Sequence, residues 1–222
     1  MRIVAVLAVL GMLLAGCAPQ GSSEALQVGD VTIDDDRIDA VAEPLAQRLA
    51  GSGVTGEIRQ SVAELAVFLE VARRYAREQG VTPEEPDYEG IAAQFEVSPD
   101  DPYVRLNAEA NAYLTALREN ATGRTPTEEE IRDVFDRFVE IAGPVATLEQ
   151  IRGELLAIPE YGKSLTLREE LLAAMDRYGV TVSPRYQPLE FGLFVVSVTG
   201  GQLVLVSLPI GQQGTGAVRA VD

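Results

Sequence analysis

Histidine is absent from this chain of 222 residues, and Cys17 is its one cysteine. Zinc sites of the Cys/His type, Ser-His-Asp triads and Cys-His nucleophiles all need side chains that the sequence lacks. An internal disulfide is excluded as well, because it needs two cysteines. Carboxylate chemistry is still available, since acidic residues are abundant, but their spacing singles out no pair. We therefore expect no enzyme, no cofactor and no metal site.

Positive charge is also scarce, with 18 Lys and Arg against 34 Asp and Glu and a net charge of −16. Removal of residues 1–16, which hold Arg2 and no acid, takes the charge to −17. Such a field repels nucleic acid and anionic lipid headgroups, so neither is expected as a direct partner. The negative charge either only keeps the protein soluble or also attracts cationic partners, including unfolded basic segments.

A long apolar run is the third absence. Residues 1–16 begin with Arg2 and continue with an apolar stretch from Ile3 to Ala15. At about thirteen residues this stretch is shorter than the roughly twenty that span a bilayer. It has the form of an export signal that is removed from the mature protein.

The end of that stretch, Leu13-Leu14-Ala15-Gly16-Cys17, resembles the lipobox of bacterial lipoproteins. The resemblance implies cleavage before Cys17 and acyl chains on the cysteine, which would hold the protein on the extracytoplasmic face of the cell membrane. The alternative is an ordinary signal peptide that ends near a chance cysteine. We expect residues 17–25 to be a flexible tether, 26–208 the folded domain and 209–222 a loose tail.

The centre of the domain is a predicted helix from Glu57 to Gln79. Its apolar residues form two stripes, which implies neighbouring elements on two sides. One stripe contains Ile58, Val62, Leu65, Leu69, Ala72 and Ala76, and the other contains Ala63, Val67, Phe68, Val71 and Tyr75. Gly80 suits a left-handed helix end. The predicted fold is mainly α, of the α+β class.

Other helices surround this one in the sequence. Helical periodicity and end signals predict them after Asp34–Asp36, from Thr82-Pro83, over Tyr103–Asn120, from Thr127, over Leu148–Ala157 and over Leu167–Tyr178. Thr127 with Glu130, and Thr166 with Glu169, match the capping-box pattern. The acids Asp34–Asp36 can bind a cation, but capping the helix that follows them is the favoured interpretation.

Two segments have the period of strands. Leu26–Ile33 contains two short β-prone runs around Gly29-Asp30, and Phe191–Leu208 contains two longer runs around Gly200-Gly201. Each pattern predicts a hairpin. Both faces of the longer hairpin are apolar, so one must pack on helices and the other is either covered or adhesive. We expect the two hairpins to pair and so form a small antiparallel element from the N- and C-terminal segments.

The order of these parts resembles the N-terminal chaperone domain of the SurA and PrsA exported foldases. The resemblance covers roughly residues 26–190 and rests on Val28–Ile33 before an acidic helix start, on Thr125–Ile131, and on Gly179–Tyr186, which resembles the closing segment of actinobacterial lipoproteins of this type. It implies binding of unfolded exported polypeptides. Many members insert a parvulin prolyl-isomerase domain after the Thr-Glu-Glu helix. Here only about twenty-five residues separate Ile141 from Thr166, and the parvulin histidines are missing, so no isomerase activity is implied.

The sequence therefore suggests a membrane-anchored holdase that is not an enzyme. We expect its clients to bind an apolar groove between helices with acids at the rim, lined by Tyr88, Phe95, Tyr103 and Tyr113. One alternative is a structural or adaptor lipoprotein that binds a single folded envelope partner through the hairpin Phe191–Leu208. Another is a carboxylate enzyme with a divalent metal at Asp34–Asp36. The alternative for these four aromatic residues is that they fill the hydrophobic core, as apolar residues at helical spacing commonly do, so the groove is a hypothesis.

Overall fold

A computed structural model describes residues 24–49, 55–199 and 201–211 of the chain. It confirms a mainly helical α+β fold with a small antiparallel β component. The order is β1 (Glu24–Val28), β2 (Val31–Asp34), α1 (Asp35–Arg48), α2 (Thr55–Gln79), α3 (Tyr88–Phe95), α4 (Pro102–Asn120), α5 (Glu128–Ala142), α6 (Leu148–Leu156), α7 (Pro159–Tyr178), β3 (Val180–Val182), β4 (Leu189–Val198) and β5 (Gly201–Ile210).

Helix α2 lies at the centre and packs against α1, α4, α7, β1 and β4. Every residue of both predicted stripes is buried, which confirms that the helix has neighbours on two sides. The helix ends as predicted at Gly80, whose φ is +66°. The Val81 N–H donates to the Ala76 carbonyl at 2.8 Å and the Gly80 N–H to the Arg77 carbonyl at 3.3 Å. These bonds satisfy carbonyls that the helix itself leaves free.

The first hairpin forms as predicted, but its partner strand is a different one. Strand β1 pairs with β2 and, on its other edge, with β3, so that the sheet order is β2-β1-β3. Strands β4 and β5 form a separate two-stranded sheet, and the expected pairing of the two hairpins is wrong. The reason is chain order, because β3 follows α7 directly and occupies the edge of β1 before the second hairpin begins.

The β4–β5 hairpin lies on the helices with one face. Phe191, Leu193, Leu205 and Leu208 are buried in the common core, and Phe68 of α2 stacks on Phe191. Val195 of β4 is not part of this core and is 40% exposed. Strand β5 continues to the buried Ile210, two residues past the expected end of the domain at 208. Residues 212–222, most of the expected tail, lie outside the described residues.

The helix starts depend on capping and on proline. Asp34 accepts the Arg37 N–H at 2.8 Å, which confirms its predicted capping role. Helix α3 begins at Tyr88, capped by Asp87, and not near Thr82-Pro83 as predicted. Pro86 explains the difference. It has no backbone N–H to donate within a helix that starts at Pro83, and it disfavours helical geometry at the residue before it.

Helix α7 is longer than the sequence suggested. It begins at Pro159, so the predicted box at Thr166 is wrong: Thr166 lies inside the helix, and its hydroxyl donates to the Gly162 carbonyl at 3.4 Å. Proline at the first helical position is itself a start signal. The boxes that form are the predicted one at Thr127 and a further one in which Thr147 pairs with Gln150.

All described elements contribute to, or pack on, one hydrophobic core. A chain that begins at Cys17 therefore retains every element that the structure describes. Within these ranges, no helix combines the length and apolarity needed to cross a bilayer.

The connection from α4 to α5 passes so close to α7 that Gly162 has no room for a side chain. A Cβ atom at Gly162 would lie 2.6 Å from the Arg124 carbonyl oxygen. We expect Gly162→Ala to lower the free energy of unfolding by about 1–2 kcal/mol, measured by urea denaturation, because the rigid backbone must shift. Gly153→Ala on α6, where nothing lies within 4 Å, is the matched control and should be stabilising. Equal stability of the two variants would contradict the close approach.

Candidate functional site

Two of the four predicted binding rings contact each other at the core. Tyr103 is only 7% exposed, and its hydroxyl lies 3.3 Å from the Ser61 hydroxyl. The Phe95 ring meets it edge to face, with centroids 5.2 Å apart. Tyr103 therefore stabilises the contact between α3, α4 and α2 and is not presented on the surface.

The other two rings are half-buried. Tyr88 is half-buried, with the Arg105 guanidinium 5.2 Å from its centroid. Tyr113 is half-buried against the core, about three turns along α4 from Tyr103. Because Tyr103 is buried, the four rings do not all face an open groove, and binding by the half-buried rings remains a prediction.

A depression lies between α5, α7 and the β4–β5 hairpin. We call it the α5–β5 cleft. Its volume is about 650 Å³. It is lined by Glu130, Asp133, Arg137, Glu140 and Ile141 of α5, by Tyr161, Leu165 and Arg168 of α7, and by Glu190, Gly192 and 202–207 of the hairpin. Helix and strand therefore form two long walls, with α7 between them.

One wall of the cleft is a strand edge. Among the described residues, β5 has β4 as its one strand partner, and the residues 202–207 that line the cleft form a continuous stretch of it. The Arg137 guanidinium donates to the Val204 carbonyl and reaches the Leu205 carbonyl at 3.5 Å. Asp133 holds the same guanidinium at 2.7 Å. The two carbonyls lie at a bulge, because the pairing of β5 with β4 shifts register between Val204 and Val206. The Arg137 side chain thus occupies backbone acceptors at this edge of the hairpin.

Acidic side chains outnumber basic ones around the cleft. Four carboxylates, those of Glu130, Asp133, Glu140 and Glu190, stand against the two guanidinium groups of Arg137 and Arg168. Arg124 donates to Glu130 from Nη1 at 2.9 Å. This hydrogen bond is the main reason why the pKa of Glu130 falls to about 2, so its carboxylate keeps its charge well into the acid range.

Several polar atoms around the cleft have no hydrogen-bond partner within the described ranges. They are the Tyr161 hydroxyl and the Nε atoms of Arg137 and Arg168. Tyr161 is 1% exposed, and burial, followed by the charge of Glu130, raises its pKa to about 12. Buried donors without partners are uncommon in folded proteins, and four further atoms of this kind belong to residues that do not line the cleft.

Sequence reasoning did not find this cleft, although it noted acids at a rim and the second hairpin. The nearest local signal is Asp133 with Arg137, one helical turn apart, which reads as an ordinary surface pair. The lining comes from segments 130–141, 161–168 and 190–207, and no spacing along the chain predicts that they meet.

The predicted alternative of a cation at Asp34–Asp36 has little support in the geometry. Asp34 caps α1, and Asp35 accepts hydrogen bonds from Tyr186 at 2.8 Å and lies 2.6 Å from Arg185. Within the ranges that the structure describes, no group of three or more His, Cys, Asp or Glu side chains is arranged to hold a metal ion.

Glu130 gives a prediction for the pH dependence of stability. Its pKa in the folded state is about 2, below the ordinary value of 4.5, so its stabilising contribution is complete above the unfolded-state pKa and is lost as the pH falls from 4.5 towards 2. We expect Glu130→Gln to lower the free energy of unfolding by about 1–2 kcal/mol at pH 7, allowing for solvent screening, and to reduce the loss of stability between pH 5 and pH 2.5.

The control for this prediction is Glu129→Gln, which removes an exposed carboxylate from the same helical turn. Urea unfolding at several pH values measures both variants. The ion pair is unimportant for stability if the two variants follow the same pH profile.

The predicted lipidation site, Cys17, lies outside the described residues. Comparison with protein-family models, with curated proteins and with solved structures finds no match for this chain. The likeness to SurA and PrsA foldases therefore depends on the sequence motifs alone, and the function has to be argued from the cleft.

Proposed function

We propose that this chain is a membrane-anchored extracytoplasmic chaperone that holds unfolded exported polypeptides and has no prolyl-isomerase activity. The observation that carries the proposal is the α5–β5 cleft, in which an edge of β5 without a further described strand, its carbonyls bound by Arg137, lies beside a wall of helices. An unfolded chain differs from a folded one in offering free backbone N–H and C=O groups, and a strand edge binds those groups without requiring a particular sequence.

The cellular position that the lipobox implies supports the same proposal. The lipobox around Cys17 provides for acyl chains, and two or three of them anchor a protein stably at about 0.8 kcal/mol per buried methylene. A holdase fixed beside the site of export meets its clients before they fold. No isomerase activity is included, because α6 alone occupies the interval between α5 and α7 where many of the foldases that the sequence resembles insert a parvulin domain.

The net charge of −16 supports the choice of client. A strongly negative surface attracts basic unfolded segments and repels nucleic acid. The predicted aromatic groove is not needed for this function. Tyr103 is buried, so it is not available to a client at the surface.

The test is aggregation of a denatured client after dilution into buffer, followed by light scattering. The protein used is residues 17–222 with Cys17→Ser, so that no acyl chain contributes. We expect equimolar protein to delay aggregation of several unrelated clients. The variant Glu140→Lys with Glu190→Lys reverses two charges of the cleft and should lose the delay.

The matched control is Glu129→Lys with Asp136→Lys, which makes the same charge change at exposed positions of α5 outside the cleft. Absence of any delay by the unmodified protein would overturn the chaperone proposal. Equal loss in the two double variants would show that net charge, and not the cleft, is responsible. Capture of one stable partner in place of many weak ones would favour the adaptor alternative.

A further inference from the structure

We infer that the α5–β5 cleft binds a single extended segment with basic side chains, which adds to β5 as a third strand after displacing the Arg137 guanidinium. This inference takes its ligand class, unfolded polypeptide, from the proposed function. It goes further in naming the edge, the side chain that guards it and the charge of the ligand.

The part of β5 that borders the cleft is long enough to pair with a short peptide. Residues 202–207 of β5 border it, and a stretch of this size is about 20 Å long at the rise of a β-strand. A strand added at the usual spacing of about 4.8 Å would lie on the side of β5 where the Arg137 guanidinium now binds the Val204 carbonyl. The opposite edge of the hairpin does not offer this space, since β4 packs on α2 and the Leu193 carbonyl faces Arg118 at 3.4 Å.

Arg137 accounts for the edge staying unpaired in the isolated protein. Proteins protect exposed strand edges with charged side chains, and here the guanidinium binds the Val204 carbonyl directly. Such protection is reversible, because Arg137 keeps Asp133 as a partner at 2.7 Å when it leaves the strand. The side chain therefore acts as a competitor that a backbone with well-placed N–H groups can replace.

The unpartnered donors give independent support for a ligand. Tyr161 Oη and Arg168 Nε belong to residues that line the cleft and are buried without a hydrogen-bond partner in the described part of the chain. An added strand brings carbonyl oxygens, which are the acceptors that these donors lack.

The charge of the site selects basic side chains on the ligand. Glu140 and Glu190 are exposed on the cleft, and Glu130 keeps its negative charge, while Tyr161 and Leu165 present buried rings and methyl groups between the walls. Successive residues of a strand point to opposite faces. The fitting segment therefore alternates basic and apolar residues and has no proline where it must donate an N–H.

The experiment measures binding of fluorescent hexapeptides to residues 17–222 with Cys17→Ser by fluorescence anisotropy. The probe alternates lysine and valine. One control peptide replaces lysine by glutamate, and another carries N-methyl groups on every second peptide nitrogen, which removes donors and keeps the charge. We expect the lysine peptide to bind and both controls to bind at least tenfold more weakly.

The variants test the role of Arg137. Arg137→Ala removes the competing guanidinium and a positive charge, so the lysine peptide should bind about tenfold more tightly. Arg132→Ala makes the same charge change at an exposed position of α5 outside the cleft and is the matched control. Circular dichroism checks that both variants are folded.

Several results would overturn the inference. The N-methylated peptide binding as well as the lysine peptide would mean ionic attraction without strand pairing. Equal affinities of Arg137→Ala and Arg132→Ala would mean that Arg137 does not guard the edge. Self-association that Arg137→Ala strengthens, seen by sedimentation, would assign the cleft to a second copy of the chain. If the peptides fail to bind but client aggregation is still delayed, strand addition is wrong and the chaperone proposal stands.

Discussion

Replacing Phe68 with alanine should lower the free energy of unfolding by about 3–5 kcal/mol. Phe68 lies on the central helix α2, is 0% exposed and stacks on Phe191 of β4 with ring centroids 3.9 Å apart. Alanine removes the transfer free energy of the ring and leaves a cavity that the surrounding helices fill only in part. Because native domains are stable by about 5–15 kcal/mol, this one change should remove a large share of the total.

Urea unfolding followed by circular dichroism measures the effect. The control is Phe194→Ala, which removes a half-buried ring from the same strand as Phe191 and should cost clearly less. A double-mutant cycle between Phe68 and Phe191 should give a coupling of about 0.5–1.5 kcal/mol for the ring pair. Equal losses for Phe68→Ala and Phe194→Ala would mean that the hairpin is not fixed to α2 through this stack.

The features that sequence analysis predicted correctly depend on neighbouring residues. Thr127 and Glu130 are three positions apart, and their reciprocal hydrogen bonds form at 3.2 Å and 2.8 Å. Gly80 ends α2 because glycine adopts positive φ without strain. The two stripes of α2 follow from helical periodicity, which is preserved wherever the helix is long and packed on both sides.

The errors arise where tertiary structure decides between local alternatives. Thr166 and Glu169 have capping-box spacing, but the helix has already begun at Pro159, seven residues earlier, and residues between them pack into the core. Two apolar segments, β3 and the β4–β5 hairpin, could have paired with β1. The three residues of β3 pair with it because they follow directly after α7 and so lie beside β1.

The expected binding rings illustrate a limit of helical patterns. Tyr103 and Tyr113 belong to the same stripe of α4, yet one is buried and the other half-buried. A stripe shows which side of a helix meets protein, but not how far the neighbouring elements extend along it. The α5–β5 cleft was missed for a related reason, since Arg137 and Val204 are 67 positions apart and only the fold brings them together.

The tight centre of the fold gives the second large expected effect. Ala72 on α2 is 0% exposed, so Ala72→Leu places three further carbon atoms where no space exists. We expect the free energy of unfolding to fall by about 3 kcal/mol, at the upper end of the usual cost of overpacking. Leucine and alanine are both good helix formers, so the loss reports packing and not helix propensity.

Ala66, less than two turns away on the same helix, provides the matched comparison. It borders a cavity of about 80 Å³ between α1, α2 and α4, together with Val41, Val62 and Leu106. Ala66→Leu extends into that space and should be neutral or stabilising by up to about 1 kcal/mol. Thermal and urea unfolding of both variants measure the difference. If Ala72→Leu and Ala66→Leu change the free energy of unfolding equally, Ala72 is not packed more tightly than Ala66, and the expected close packing around α2 is wrong.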